Sequence, residues 1–323
     1  MRPKNFFDFF PPPEFLNIPY AGIAISDTSI RCIQFYIGQQ GLHLSKFTEK
    51  PLPPGAVTSG FINDSGVVSD ILKSLKMDLG INHIKVSLPE EKAYLFTTSI
   101  PKVAQKDIRS AIEFKMEENV PIPASDLVFD FLIPNPNAHD DHFNVVVSAL
   151  PVSVVDVYIE TVRLSGLSLL SLEIEPQAVA RSLLSESDSS ACIIAYFGQN
   201  KVGLYVACCR VVHFTSTIST KGIPDDDLSY LSLEIKKLQN YWQTLKENEN
   251  DNNKIISRVI VCGEYLPDDL DSRLYAKLHI KVIYGNVWSN AFDINKTVPE
   301  ISHSDSLKYA PAVGLALPSK ILL

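Results

Sequence analysis

Two stretches decide the fold: GIAISDTSIR, residues Gly22–Arg31, and IIAYFGQNKVGLYVA, residues Ile193–Ala207. Each reads as an apolar strand, a short polar or glycine-bearing turn, and a second strand. The unit occurs once near the start of each half of the chain. A duplicated strand–turn–strand can grip the two ends of a nucleotide triphosphate, because successive backbone N–H groups in such turns cradle anions.

The 323 residues have room for about two domains. With 46% hydrophobic and 20% charged residues, the composition is that of a globular protein. A formal charge of −8 argues against nucleic acid or an anionic lipid surface as a broad partner. The five cysteines are Cys32, Cys192, Cys208, Cys209 and Cys262; they form no C-x-x-C pair and mostly sit in apolar strands. They read as buried free thiols in a reducing compartment. No apolar run approaches the ~20 residues of a membrane span. The leader MRPKNFFDFFPPPEF lacks the apolar core and cleavage site of a signal peptide. The expected placement is the cytoplasm.

Outward from the two turns, residues 1–20 read as a flexible arm holding Phe6, Phe7, Phe9 and Phe10 before Pro11–Pro13. Strands are expected at Gly22–Ser26, Ser29–Ile37 and Leu42–Lys46, then a turn-rich link, Pro51–Asp64. A helix over Val67–Leu79 follows, stopped by Gly80. Residues 84–150 read as an inserted strand–helix–strand–strand unit, with strands Ile84–Leu88, Ala93–Ile100, Leu127–Ile133 and Phe143–Ala149. Its helix runs over Val103–Asn119 and ends at Val120-Pro121-Ile122-Pro123. Helices over Val152–Ser165 and Pro176–Leu184 flank a strand, Leu169–Ile174. The polar SESDSS, Ser185–Ser190, divides a first lobe (21–187) from a second (188–323). The second lobe opens with strands Cys192–Tyr196, Val202–Ala207 and Val211–Ile218. An amphipathic helix, Asp226–Lys246, follows, with Tyr241 and Trp242 on its core face. Then come the solvated ENENDNNK (Glu247–Lys254), a strand–helix–strand (Arg258–Cys262, Pro267–Leu278, Lys281–Tyr284) and a closing helix at Lys308–Leu317.

Several of these segments, in this order, carry a family resemblance. PLPPGAV with Gly60–Asp64, IRSAIEFKMEENVPIP, Gly166-Leu167 before an acidic strand, EPQAVAR, LEIKKLQNYW and YAPAVGLAL resemble the PilM family of type IV pilus assembly proteins. The chain is similar, more remotely, to the divisome protein FtsA. The resemblance covers Gly22–Leu317. It implies an α/β actin-like ATPase fold: two RNase H-like lobes, an inserted SHS2-type α+β subdomain and, here, a reduced second lobe. In the family a helical subdomain covers the base. The short stretch between Thr220 and Leu228 cannot build one.

The resemblance also marks where nucleotide ligands belong. In the first phosphate loop Ala24 stands at the family's aspartate and Ser26 at its glycine, while Asp27, Thr28 and Ser29 remain. Asp27 lies past the turn and does not inherit the metal role. In the second loop, Tyr196 replaces the aspartate, followed by Gly198, Gln199 and Asn200. A phenol supplies no carboxylate to Mg²⁺ and crowds phosphate. Of the Gly-Gly-Gly run near the adenosine site, Gly263 is left before Glu264 and Tyr265. Gly198 and Gly263 read as kept for backbone turns. The expectation is therefore no catalysis and no cofactor; ATP with Mg²⁺ enters through the resemblance alone.

Other chemistry is thin. His139, Asp140, Asp141 and His142 lie on a hairpin loop without helical ligand spacing, so no metal site is expected. Asp225–Asp227 read as the acidic start of a helix. No G-x-S-x-G or Walker A motif occurs. The resemblance implies a non-catalytic scaffold at the cytoplasmic face of a pilus, secretion or competence platform, peripheral to the inner membrane through its protein partners. The implied partner is the N-terminal peptide of a PilN-like inner-membrane protein. It would lie in a groove beside the inserted subdomain, with Phe114, Met116, Val120 and Ile122 as candidate lining. A motor ATPase, a platform protein or further copies of the chain are secondary partners under the same resemblance. Two alternatives stand beside it: a nucleotide-binding ATPase or switch with relocated ligands, and an FtsA-like membrane-associated filament protein.

Overall fold

The computed structural model describes residues 18–38, 41–134, 141–222, 228–245, 255–292 and 298–318. The Phe-rich leader, His139-Asp140, Asp225–Asp227 and the Glu247–Lys254 run lie outside the described residues.

Two five-stranded mixed sheets share one plan. In the first, β1 (Tyr20–Ile25), β2 (Ser29–Gly38) and β3 (Gly41–Pro51) form an antiparallel meander. After a small hairpin, β4 (Val57–Thr58) and β5 (Phe61–Ile62), strand β6 (His83–Leu88) joins β1 in parallel. Strand β10 (Ser168–Ile174) then joins β6, giving the order β10-β6-β1-β2-β3. In the second sheet β11 (Cys192–Phe197), β12 (Lys201–Cys208) and β13 (Val211–Ser219) repeat the meander. Strands β14 (Arg258–Gly263) and β15 (Lys281–Tyr284) extend it in parallel on the far side of β11. The sequence repeat is thus a repeat of strand order. Every residue of β11 is buried, as expected for a central strand covered on both faces.

Helices complete the layers. α1 (Ser65–Leu79) starts where the Asp64 carboxylate accepts the Val67 N–H and stops at left-handed Gly80. Its Val68, Leu72 and Leu75 face the first sheet together with Val155, Tyr158 and Val162 of α3 (Val152–Ser165). On the second sheet, α5 (Ser229–Thr244) buries Leu231, Ile235, Leu238 and Trp242, alongside α6 (Leu270–Leu278). Between the sheets lie α4 (Glu175–Leu183), the short α7 (His303–Ser306) and α8 (Ala310–Ala316). One apolar cluster there takes Ile33 and Phe35 from the first sheet, Ile194 and Tyr205 from the second, and Trp288. A Cβ on Gly314 would stand 1.8 Å from the Ala178 carbonyl oxygen, so α8 and α4 touch backbone to backbone.

The inserted unit is a three-stranded sheet, β7-β9-β8, built from β7 (Tyr94–Pro101), β8 (Leu127–Leu132) and β9 (His142–Pro151). One face carries α2 (Ile108–Asn119). Three expectations are corrected. The strand expected at Ile84–Leu88 belongs to the first sheet, because its apolar residues pair with β1 and β10 rather than with the insertion. The helix expected from Val103 begins at Ile108, after a 3₁₀ turn at Gln105–Asp107. Tyr241, expected in the core, is 54% exposed and meets the edge of Phe214, whereas Trp242 is buried.

Candidate functional site

The β1–β2 and β11–β12 turns face one another across a cleft of about 250 Å³ between the lobes. Ser26, Asp27 and Thr28 line it from one side, and Tyr196, Gly198, Gln199 and Asn200 from the other. The structure thereby assembles seven of the ten positions marked in the sequence, 26–28, 196 and 198–200. The others lie outside the wall. Ala24 is core, Ser29 is buried with its hydroxyl on Glu49, and Gly263 packs on β11.

In both turns some of the backbone donors that could hold phosphate are already used. The Ser26 hydroxyl oxygen accepts the N–H of Ser29 at 3.1 Å and of Thr28 at 3.4 Å, closing the first turn on itself. The Asp27 carboxylate accepts the N–H groups of Ser59 and Gly60 at 2.9 and 3.0 Å. In the second turn Gly198 N–H donates to the Lys201 carbonyl at 2.9 Å. Gly263, at φ +117°, lies so close to Phe197 that a Cβ would come within 2.1 Å of its carbonyl oxygen.

Charged residues unmarked in the sequence complete the cleft. Lys201 Nζ stands 2.7 Å from Glu91, 3.5 Å from Glu90 and 3.8 Å from Glu175. Burial pushes the Glu175 carboxyl up to about 8. Burial disfavours the Lys201 ammonium, but Glu90, Glu175 and Glu91 outweigh it and hold its pKa well above the usual lysine range. Arg31, 1% exposed, pairs with Glu49 at 2.8 Å and with Glu264 at 2.6 Å. One signal for it was available in the sequence: a charged residue inside an otherwise apolar strand, SIRCIQF, needs a partner. Nothing in the sequence named the partner.

A second concavity, about 530 Å³, lies between the insertion and the first lobe. Strand β8 alternates: Leu127, Phe129 and Phe131 pack with α2, while Val128, Asp130 and Leu132 point away from it, into the groove. Val128 and Leu132 remain 45% and 41% exposed. Opposite stand Ser171–Ile174 of β10, with Gln177 and Arg181 of α4; Arg181 is ion-paired to Glu173. Both β8 and β10 are sheet edges. The lining expected in the sequence is corrected here. Met116 and Val120 are buried and Ile122 packs on the same core, because they seat α2 on its own sheet. Phe114 alone of the four is exposed, at 70%, and it is not part of the groove wall.

A family model described as "Type IV pilus assembly protein PilM" matches residues 22–218. The chain belongs to this family. Among solved structures it is similar to the "PilM-PilN type IV pilus biogenesis complex", at 18% identity and TM-score 0.77, over 92% of this chain and 97% of that one. It is also similar to the cytoplasmic domain of EpsL, an inner-membrane component of the type II secretion system of Vibrio cholerae (9% identity, TM-score 0.48, 85% and 100% covered). The ethanolamine utilization protein EutJ from Carboxydothermus hydrogenoformans matches at 14% identity and TM-score 0.48, with 95% and 90% covered. No curated protein matches the sequence. The fold is the one seen in that PilM–PilN complex, and the chain is a PilM-like type IV pilus assembly protein.

The family's fold implies Mg²⁺-ATP in the cleft, and the residues present do not fit it. Tyr196 is buried where a metal-directing carboxylate belongs, stacked on Tyr205 with ring centroids 6.5 Å apart. The carboxylates of Asp27, Glu91 and Glu264 line the wall beside the buried Glu175 carboxyl, and Lys201, the basic side chain among the lining residues, is engaged with three glutamates. A polyanion placed there meets like charge and turns with part of their N–H groups already bonded. Among the described residues no helix is long and apolar enough to cross a membrane.

Proposed function

We propose that this chain is a non-catalytic scaffold of a type IV pilus assembly platform. In this reading it holds the cytoplasmic N-terminal segment of a PilN-like membrane protein in the groove between β8 and β10. The observation that carries the reading is one apolar groove between the uncovered face of the β8–β9 sheet and the edge strand β10. An edge strand offers unpaired N–H and C=O groups to an added strand, and the exposed Val128 and Leu132 supply apolar contact for alternate side chains. The solved relative with the higher TM-score, a PilM–PilN complex, supports the choice of partner. Association with the inner membrane then runs through that partner, and a motor ATPase or platform protein contacts the same scaffold.

The test is titration of a synthetic N-terminal segment of the PilN-like protein against the full chain. Val128→Asp and Leu132→Asp each place a charge in the groove and weaken binding at least ~30-fold, the equivalent of about 2 kcal/mol. Phe114→Asp leaves binding unchanged. Undiminished binding by both groove variants refutes the site. The absence of catalysis is tested by calorimetry with ATP and Mg²⁺. Affinity tighter than about 100 μM, which is about 5.5 kcal/mol, refutes the non-nucleotide reading.

A further inference from the structure

The lobes of this chain are joined at the cleft floor by a cation that belongs to the chain itself. Lys201, the first residue of β12, comes from the second lobe. Its three carboxylate neighbours come from the first. Glu90 and Glu91 sit on the 3₁₀ turn Glu90–Lys92 between β6 and β7, and Glu175 opens α4. Nζ lies 2.7 Å from Glu91 Oε1, 3.5 Å from Glu90 Oε1 and 3.8 Å from Glu175 Oε2. The three acid side chains are 14%, 0% and 9% exposed, so solvent screens them poorly.

The surroundings are built for this approach. Glu90 presses against β12 at Gly203, where a Cβ would stand 2.5 Å from its Oε2. The Thr217 hydroxyl of β13 donates to Glu90 Oε1 at 3.4 Å. A side chain at position 203 would have to displace the Glu90 carboxylate or the Tyr205 ring. Glu91 Oε2 is buried without a hydrogen-bond partner, and the ammonium 2.7 Å from Glu91 Oε1 is the cation closest to that charge. Arg31 answers from the opposite direction, reaching out of the first lobe to Glu264 of the second.

We propose that the Lys201 ammonium is a tethered counter-ion. It stands among first-lobe carboxylates where a diffusible cation would otherwise be needed, and it fixes the lobes in their closed arrangement without nucleotide. Glu91 and Glu175 belong both to the cleft wall and to the acids that hold this lysine. The inference is independent of the peptide groove.

The decisive variant is Lys201→Ala, which leaves an ammonium-sized space among three acids. Its melting temperature falls by roughly 10 °C, as expected for a buried charge deprived of its partner. Amide exchange in α4 and β12 quickens at least ~10-fold. Millimolar ethylammonium or Mg²⁺ then restores both readouts in the variant and changes neither in the parent protein. Parent-like melting and exchange in Lys201→Ala overturn the proposal. So does a loss that neither cation recovers, because the lysine then acts through packing. Should Lys201→Ala not fold, the triple variant Lys201→Ala, Glu91→Gln, Glu175→Gln decides. Lower interlobe protection than the parent supports a charge lock, and parent-like protection overturns it.

Discussion

Arg31 Nη2 lies 2.6 Å from Glu264 Oε2, joining the first lobe's central hairpin to the residue that follows β14 in the second. The contact is an ion pair rather than an aligned hydrogen bond, since Nη2 has no hydrogen-bond partner. The same guanidinium donates through Nε to Glu49, whose carboxylate also takes the Ser29 hydroxyl and, from the C-terminal region, the Lys308 ammonium. Burial opposes ionisation of Glu49, yet Lys308 and Arg31 hold its carboxyl below the usual glutamate range.

Replacing the buried cation of that network should be costly. Arg31→Met leaves Glu264 without its cation and Glu49 with Lys308 alone, and is expected to lower stability by about 3–5 kcal/mol. Urea unfolding of the variant against the parent measures this. A difference below ~1 kcal/mol would show that the pair is solvated and weak.

The Asp27–turn contact has a companion: the buried Tyr158 hydroxyl donates to the Gly60 carbonyl at 2.8 Å. Tyr158→Phe orphans that carbonyl and is expected to cost about 1–2 kcal/mol. Chemical denaturation reads the loss, and faster amide exchange at Ser59 and Gly60 locates it.

Glu175 makes stability depend on pH. Its folded pKa is raised from 4.5 to about 8, so its contribution is complete below 4.5 and is lost as pH rises towards 8. The slope through that window is about 1.4 kcal/mol per pH unit for one proton. Lys201, Glu90, Glu91 and Arg31 are the charged groups that act on the same carboxyl. Glu175→Gln should flatten the decline and be the more stable protein at the alkaline end. Unfolding curves of both proteins across the window test the sign; a parallel pair of curves would refute it.

The helix contact at Gly314 tolerates no side chain. Gly314→Ala directs a methyl at the Ala178 backbone oxygen, 1.8 Å away before relaxation, so α8 must shift from α4. An overpacking loss of about 3 kcal/mol is expected, seen as a lower melting temperature.

Much of the architecture was legible in the sequence because it rests on near neighbours. The duplicated strand–turn–strand, the helical spacing of Val68, Leu72 and Leu75, the stop at Gly80 and the family wording of the first lobe and insertion each depend on residues close in the chain. The departures of Ala24, Ser26 and Tyr196 from the family's phosphate-turn wording are likewise read one position at a time. Misreadings arose where a segment had two partners to choose from. The β6 strand was grouped with the insertion because adjacency in sequence does not say which sheet a strand joins. Helical spacing marks Met116 and Val120 as part of an apolar face without saying what covers it, and the insertion's own sheet does.

By itself, then, the sequence determined the repeated strand pattern, most helix and strand positions and the missing metal-directing carboxylates. Only the tertiary structure decided what stands in their place. Lys201 meets Glu91 across 110 residues of chain, and which face of β8 opens to the groove depends on where α2 packs. Local propensity acts over a few residues, whereas the pairing of buried charges is set by the distance between lobes that only the complete fold brings together.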